Sequence, residues 1–281
     1  MKRAKNKMES MFDLKGRVAI ITGGAGMLGQ MHAEMIAEAG GIPVLADIKE
    51  GLAKKMAQAV SKKYKVPALG IPVDITKKES VEHLREAVLK NYAHVDILIN
   101  NAANDPKVGG GVKDLAGSRF ERFSLDDWNQ DIAVGLTGAF LCSQIIGSEM
   151  AKQGKGVILN ISSDLGMIAP DQRLYEKKGL SSDQQPVKPV TYSVVKTALI
   201  GLTRYLATYW SHRNIRVNAL CPGGVDTGQP IEFKEKLHSR IPMGRMARKD
   251  EYKGAVLFLI SDASSYMTGA TLVVDGGRTC W

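Results

Sequence analysis

The sequence predicts one α/β domain: a doubly wound parallel sheet of seven strands with helices on both faces. Three observations predict it. Short runs rich in β-branched residues alternate with longer segments of helical pattern, and that alternation yields parallel strands joined by right-handed crossovers. A glycine-rich turn, "TGGAGMLG" (22–29), stands directly between the first such run and the first helical segment. The 281 residues are 44% hydrophobic, ample for one core, and hold neither a linker nor an internal repeat. The domain is expected over residues 14–281, behind a disordered basic arm at residues 1–13.

The strand candidates follow in order. They are "RVAIIT" (17–22), "IPVLAD" (42–47), "ALGIPVD" (68–74), "HVDILINN" (94–101), "GVILNISS" (156–163), "IRVNALCP" (215–222) and "ATLVVDGG" (270–277). Between most of them lie segments long enough for a helix: 27–39, 50–64, 78–91, 127–152, 191–212 and 250–261. Three stretches break this rhythm, 104–126, 164–190 and 223–249; they are polar, rich in Gly or Pro, and too long for simple βα turns. Each follows a predicted strand. Ligands of an open parallel sheet sit beyond the carboxyl ends of the strands, so these stretches are expected to wall and cover a substrate site.

Composition narrows the function. Lys and Arg exceed Asp and Glu by 38 to 29, a net charge of +9, but aromatic residues make up only 6% of the chain. A nucleic-acid surface needs basic charge interleaved with stacking platforms, so Lys2, Arg3, Lys5 and Lys7, and Lys54, Lys55, Lys62, Lys63 and Lys65, read as solvated faces. Cys142, Cys221 and Cys280 are an odd number with no C-x-x-C and no histidine cluster, which predicts no metal site and a reducing, cytoplasmic setting. The N-terminal dozen lacks the apolar centre of a signal peptide, and no apolar run approaches the ~20 residues that cross a bilayer.

The glycine turn carries the first chemistry. Between a strand and a helix, glycines let the backbone approach a pyrophosphate held at the helix N-terminus. Asp47 closes the second strand candidate. A carboxylate there accepts hydrogen bonds from adenosine ribose hydroxyls and repels a 2′-phosphate, so the expected cofactor is NAD rather than NADP.

The order Thr22-Gly23…Gly29, Asp74, "NNAA" (100–103), "NISS" (160–163), Tyr192-x-x-x-Lys196, "PGGVDT" (222–227) and a closing "VVDGG" resembles the short-chain dehydrogenase/reductase family, over about residues 14 to 277. The resemblance implies a Rossmann-type fold whose cofactor contacts come from Gly23, Gly26, Met27, Leu28, Gly29, Asp47, Ile48, Asp74, Ile75, Asn101, Ala102, Tyr192, Lys196, Pro222, Gly223, Val225 and Thr227. Within that set Asp74 and Ile75 would flank the adenine, while Val225 and Thr227 would orient the nicotinamide carboxamide. Asp74 has a second reading, as a capping residue for the helix that starts near Lys77. The resemblance also implies that the helices around 128–151 and 191–212 pair with symmetry mates, giving a dimer or tetramer.

Interconverting an alcohol and a ketone by hydride transfer needs a proton partner on the substrate oxygen. Tyr192 is the candidate. A free phenol titrates near pH ~10, and lowering that by ~3 units takes about 4 kcal/mol of differential stabilisation, which Lys196 one helical turn away and an oxidised nicotinamide ring can supply. Ser163 matches the family's catalytic serine and would donate to the substrate oxygen, leaving Ser162 a structural role. Two matches fail: Gly135 stands where the family has an asparagine that holds a water beside the lysine, and Met27 stands where it usually has a glycine.

The function expected is an NAD-dependent oxidoreductase acting on a secondary alcohol or ketone of a small polar substrate, such as a sugar or sugar acid. The gap from Ser163 to Tyr192 is longer than the family's usual one and is read as an insertion. Its Asp171, Gln172, Arg173, Lys177, Lys178 and Lys188 would make the substrate mouth polar. Gly135 and Met27 keep open a non-catalytic dinucleotide sensor or scaffold. A reductase of acyl or steroid-like carbonyls would want an apolar mouth instead.

Overall fold

The computed structural model of the chain describes residues 7–104 and 115–281. Its seven strands are β1 (Val18–Thr22), β2 (Ile42–Asp47), β3 (Leu69–Pro72), β4 (Ile97–Asn100), β5 (Gly156–Ile161), β6 (Ile215–Pro222) and β7 (Thr271–Val274). They form one sheet in the order β3-β2-β1-β4-β5-β6-β7, and every neighbouring pair runs parallel. All seven strand candidates are found. The strand order reverses between β1 and β4, so the crevice above their carboxyl ends is where such a sheet takes a ligand.

The helices are α1 (Lys7–Met11), α2 (Met27–Glu38), α3 (Glu50–Tyr64), α4 (Lys78–Tyr92), α5 (Leu125–Gln153), α6 (Val190–Tyr209), α7 (Ile231–His238) and α8 (Lys253–Ile260). Two cores lie on opposite faces of the sheet. On one, Leu84 and Val88 of α4, Cys142, Ile146 and Met150 of α5, and Leu206 of α6 meet Val18, Ile20, Leu98 and Ile158. On the other, Ile36 of α2, Val60 of α3, and Val256 and Leu259 of α8 meet Ile21, Leu45, Ile99 and Leu159. Strands covered on both faces are completely buried, which is why β1 and β4 read as continuous apolar runs.

Three details depart from the sequence reading, and one expected loop is described only in part. Lys7–Met11, within the segment expected as a disordered arm, is one short helix, and residues 1–6 lie outside the described residues. The stretch 223–249, expected as open loop, contains α7, whose Phe233 and Leu237 stand one turn apart against Leu174, Ile241 and Met246. The first long loop is described only at its ends, since 105–114 lie outside the described residues. Helix α5 is long and apolar enough, by length and composition, to cross a bilayer. Here it is a core helix on the sheet, and it is interrupted by a π-helical turn at Ala133–Thr137.

Candidate active site

The glycine turn is held from three sides. Gly23 takes φ +62° with its α-carbon so close to Ala102 that a Cβ would lie 2.9 Å from the Ala102 Cα, a position that only glycine fills without strain. Asp47 Oδ2 accepts from the Ala25 N–H at 3.0 Å, while Asn101 Nδ2 donates to the carbonyls of Thr22 (3.0 Å) and Gly23 (3.3 Å). Helix α2 follows with Gly26 at its N-cap and no side chain capping it. Its first N–H groups therefore converge, without side-chain acceptors, on the crevice lined by Met27 and Leu28. That is the donor set a pyrophosphate requires, so these residues fit the dinucleotide that the turn predicts.

A cavity of about 330 Å³ opens beyond the strand ends. It brings together Met27, Leu28, Asn101, Ser163, Tyr192, Lys196, Pro222, Gly223, Val225 and Thr227 from the predicted set. Gly23, Gly26, Gly29 and Ala102 build the turn behind it. Asp47, Ile48, Asp74 and Ile75 are not among its lining residues. Ile48 is 70% exposed at the end of β2, whereas the Ile75 side chain is buried in the core, where Gly138 of α5 leaves room for it. Asp74 accepts from the Thr76 N–H (3.0 Å) and hydroxyl (2.6 Å), and its carboxyl is held below the usual range chiefly by that hydroxyl. The residue flanking α4 is Lys77, so Asp74 organises the turn ahead of the helix rather than capping it.

Ser163, Tyr192 and Lys196 come from two elements, the turn after β5 and helix α6. Ser163 follows β5, where it begins a short 3-10 turn at Asp164–Gly166. Its Oγ donates to Asp164 Oδ1 at 2.8 Å and accepts from the Leu165 N–H at 3.2 Å. Tyr192 and Lys196 lie one turn apart near the start of α6. Lys196 is 5% exposed, its Nζ donates to the Ile161 carbonyl at 2.8 Å, and it stands 5.8 Å from the centre of the Tyr192 ring. The neighbouring Ser162 points the other way: its Oγ donates to the Lys196 carbonyl at 2.7 Å, tying β5 to α6.

Gly135 lies in the π-turn of α5, facing α6. A Cβ placed on it would come within 2.6 Å of Val195 Cγ1, so the residue next to Lys196 occupies the space that a side chain at 135 would need. Beside them is a cavity of about 10 Å³, close to the least volume that admits one water, lined by Ala103, Asn104, Asp131, Gly135, Thr191, Tyr192, Val195 and Lys196. Asp131 is polar enough to serve such a water. It accepts from Thr191 Oγ1 at 2.5 Å and from Asn104 Nδ2 at 3.1 Å.

The substrate mouth differs from its expected character. Of the six polar residues assigned to it, only Lys188 lines the cavity, with its Nζ 3.8 Å above the Tyr192 ring. Asp171 instead pairs with Arg173 and with Arg240 outside the cavity, which holds its carboxyl well below the usual carboxylate range. The 3-10 turn Gln172–Tyr175 carries Leu174 and Tyr175 inward. With Phe233, Leu237 and Met246 they make one apolar wall. The opposite character comes from residues that sequence reasoning passed over, Asp164 and Arg278, a buried pair at 2.7 Å. The closing "GGRTC" was the one signal for Arg278, since it follows the motif directly.

A doubly wound parallel sheet, a glycine turn feeding an uncapped helix and a cavity at the switch point define a dinucleotide-binding oxidoreductase fold. The comparisons agree. The profile described as Enoyl-(Acyl carrier protein) reductase matches residues 24–279. The chain is 36% identical to an NAD-dependent glycerol dehydrogenase of Listeria innocua, over 95% of this chain and 96% of the relative. It is 33% identical to a cis-4-hydroxycyclohexanecarboxylate dehydrogenase of Sinomonas cyclohexanicum, over 94% of this chain and 96% of the relative. Among solved structures, a gluconate 5-dehydrogenase from Burkholderia cenocepacia in complex with NADP and tartrate superposes with a TM-score of 0.84 at 29% identity, covering 98% of this chain and 99% of the other. The chain belongs to the short-chain dehydrogenase/reductase family. It is an oxidoreductase that uses a nicotinamide dinucleotide.

Proposed function

We propose that the protein interconverts a secondary alcohol and a ketone on a small substrate, with NAD as the preferred cofactor. The observation that carries this reading is the meeting of Ser163, Tyr192 and Lys196 with the phosphate-binding turn in one cavity. When bound, the nicotinamide accepts or supplies the hydride. In the oxidative direction Tyr192 removes the carbinol proton, and Lys196, fixed by the Ile161 carbonyl, favours the charged phenolate. Ser163 steadies the substrate oxygen, which requires its hydroxyl to turn from Asp164 toward the cavity. A water in the cavity beside Gly135 would carry the proton from Lys196 toward Asp131.

NAD rests on Asp47, whose carboxylate ends β2 beside the glycine turn. The relatives include an NAD-dependent glycerol dehydrogenase and a structure holding NADP, and Asp47 favours the former. Polyols and hydroxy acids, the substrates named for those relatives, set the range to test. The apolar wall of Leu174, Tyr175, Phe233, Leu237 and Met246 supports a second reading, reduction of an acyl or steroid-like carbonyl.

A panel of polyols, sugar acids, hydroxycyclohexanecarboxylates and a 3-oxoacyl thioester, each with NAD(H) and NADP(H), tests the reading through nicotinamide absorbance. Tyr192→Phe should keep the fold and cofactor binding while removing nearly all turnover. Wild-type turnover in that variant refutes the mechanism.

The exposed Phe140 of α5 and Val194, Tyr205 and Tyr209 of α6 support self-association through these helices as a dimer or tetramer. Free Cys142, Cys221 and Cys280 support a reducing, cytoplasmic setting.

A further inference from the structure

Arg278 opens onto the same cavity as Ser163, Tyr192 and Lys196, yet nothing in the hydride-transfer chemistry uses it. Its side chain is only 8% exposed, and its Nη1 donates to Asp164 Oδ2 at 2.7 Å. The other Asp164 oxygen takes the Ser163 hydroxyl and the Leu165 N–H. The guanidinium has further N–H groups on Nε and Nη2, and among the described residues neither nitrogen has a hydrogen-bond acceptor. An arginine kept only to neutralise Asp164 would not need to turn its remaining donors to a ligand cavity.

The position is rigid. Gly277 takes φ +89° against Pro242, and Asp275 accepts from the Gly277 N–H at 2.9 Å and the Thr279 N–H at 2.7 Å. Lys188, Lys196 and Arg278 line the cavity against one carboxylate, Asp164. The apolar residues that share the cavity, Leu174, Tyr175, Phe233, Leu237 and Met246, lower the local dielectric, which strengthens attraction for an anion. A planar guanidinium with an open edge matches a carboxylate in a bidentate pair.

We propose that Arg278 is a specificity-determining residue that binds a carboxylate of the substrate, making the substrate class small hydroxy acids and their keto acids. The inference rests on the alcohol–ketone reading above and deepens it. Only two hydrogen bonds and the width of the Asp164 carboxylate separate Arg278 Nη1 from Ser163 Oγ. The bound carboxylate therefore sits within a few carbon atoms of the reacting carbinol. Asp164 holds the guanidinium from behind and links it to Ser163.

The test uses two probes with one carbon skeleton: tartrate, and threitol, in which both carboxylates are replaced by hydroxymethyl groups. Their affinities for the NAD complex of the full-length protein are measured by calorimetry. Wild type should bind tartrate at least about tenfold tighter than threitol, the scale of one charge-assisted pair. In Asp164→Asn/Arg278→Gln, which replaces the buried ion pair by an uncharged one, that ratio should collapse toward one. No tartrate preference in wild type, or an unchanged preference in the folded double variant, overturns the proposal and leaves Arg278 a structural ion-pair partner. If the double variant does not fold, Arg278→Lys keeps the charge but loses the planar fork. Its tartrate preference should then fall several-fold, and an unchanged preference overturns the proposal. Turnover of neutral polyols without a tartrate preference sinks this inference alone. Absence of turnover with every alcohol and ketone sinks the underlying reading, whichever way the tartrate ratio falls.

Discussion

Ser163 Oγ donates its hydrogen bond to Asp164 Oδ1 at 2.8 Å, so the hydroxyl assigned to the substrate oxygen is engaged by its own chain neighbour. Asp164 can release it at little cost, because the same oxygen keeps the Leu165 N–H and the other keeps Arg278. On the proposed mechanism the serine, satisfied here by Asp164, would exchange one oxygen acceptor for another when substrate binds. The arrangement depends on the buried pair behind it. Arg278→Met should cost about 3–5 kcal/mol of stability, since it leaves a buried carboxylate without its counter-charge. Adding Asp164→Asn should restore most of that loss, read from urea unfolding midpoints. An Arg278→Met variant as stable as wild type would mean that Asp164 is solvated in solution.

The proposed preference for NAD rests on Asp47, whose oxygens accept from the Ala25 N–H and the Lys49 N–H, both at 3.0 Å. The carboxylate is therefore oriented by backbone at the end of β2, where a 2′-phosphate would meet its charge. NAD should bind more tightly than NADP, and Asp47→Ala should close much of that gap by weakening the first and relieving the second. Titration calorimetry with both dinucleotides decides. Tighter NADP binding to wild type would overturn the assignment.

The sheet was legible because each strand is covered on both faces and each crossover carries its own helix, so the alternation stands in the chain itself. The glycine turn between β1 and α2 was legible for the same local reason. What escaped was set by residues far apart. Asp164 and Arg278 are 114 positions from one another, and no pattern along the chain announces a pair at that range. Polarity along residues 164–190 does not reveal the cavity lining, because near neighbours face opposite ways: Asp171 and Arg173 turn outward while Leu174 and Tyr175 turn inward. Helix α7 was readable from the spacing of Phe233 and Leu237, but the proline and glycines before it suggested a loop.

Acid should weaken the fold through His32, which is buried in α2. Burial lowers its pKa from 6.5 to about 4, with the nearby Asn101 opposing only in part and making no well-directed hydrogen bond to either ring nitrogen. Between those values the unfolded chain binds a proton that the folded chain refuses. The contribution is therefore complete above pH 6.5 and is lost progressively as the pH falls toward 4, up to roughly 3 kcal/mol. His32→Leu should flatten the pH dependence of the unfolding free energy in this window, with little loss of stability at pH ~8 because two unpaired ring nitrogens leave the core. An unchanged slope in that variant would assign the acid sensitivity to other groups.

The sharpest departure from the family pattern is Gly135, and the structure gives it a physical reason. A glycine within a helix costs ~1 kcal/mol relative to alanine, so something must offset it. Val195 does: its Cγ1 would stand 2.6 Å from a Cβ at 135, and its branched side chain has little freedom to withdraw. From sequence alone Gly135→Ala looks mild and only Gly135→Leu damaging. The contact corrects that, since even a methyl group overpacks the α5–α6 interface beside Lys196. Gly135→Ala should lose about 1–3 kcal/mol of stability and slow turnover, and the paired change Val195→Ala should recover both. Gly135→Leu should do more harm, because it also fills the cavity shared with Asp131 and Thr191. Turnover at steady state and thermal unfolding of the four proteins read the two effects separately. Full activity and stability in Gly135→Ala would show that α5 and α6 move apart freely and that Val195 does not hold position 135 to glycine. Recovery of stability without recovery of turnover in Gly135→Ala/Val195→Ala would instead place the loss in the cavity itself, where the added methyl displaces the proton path from Lys196.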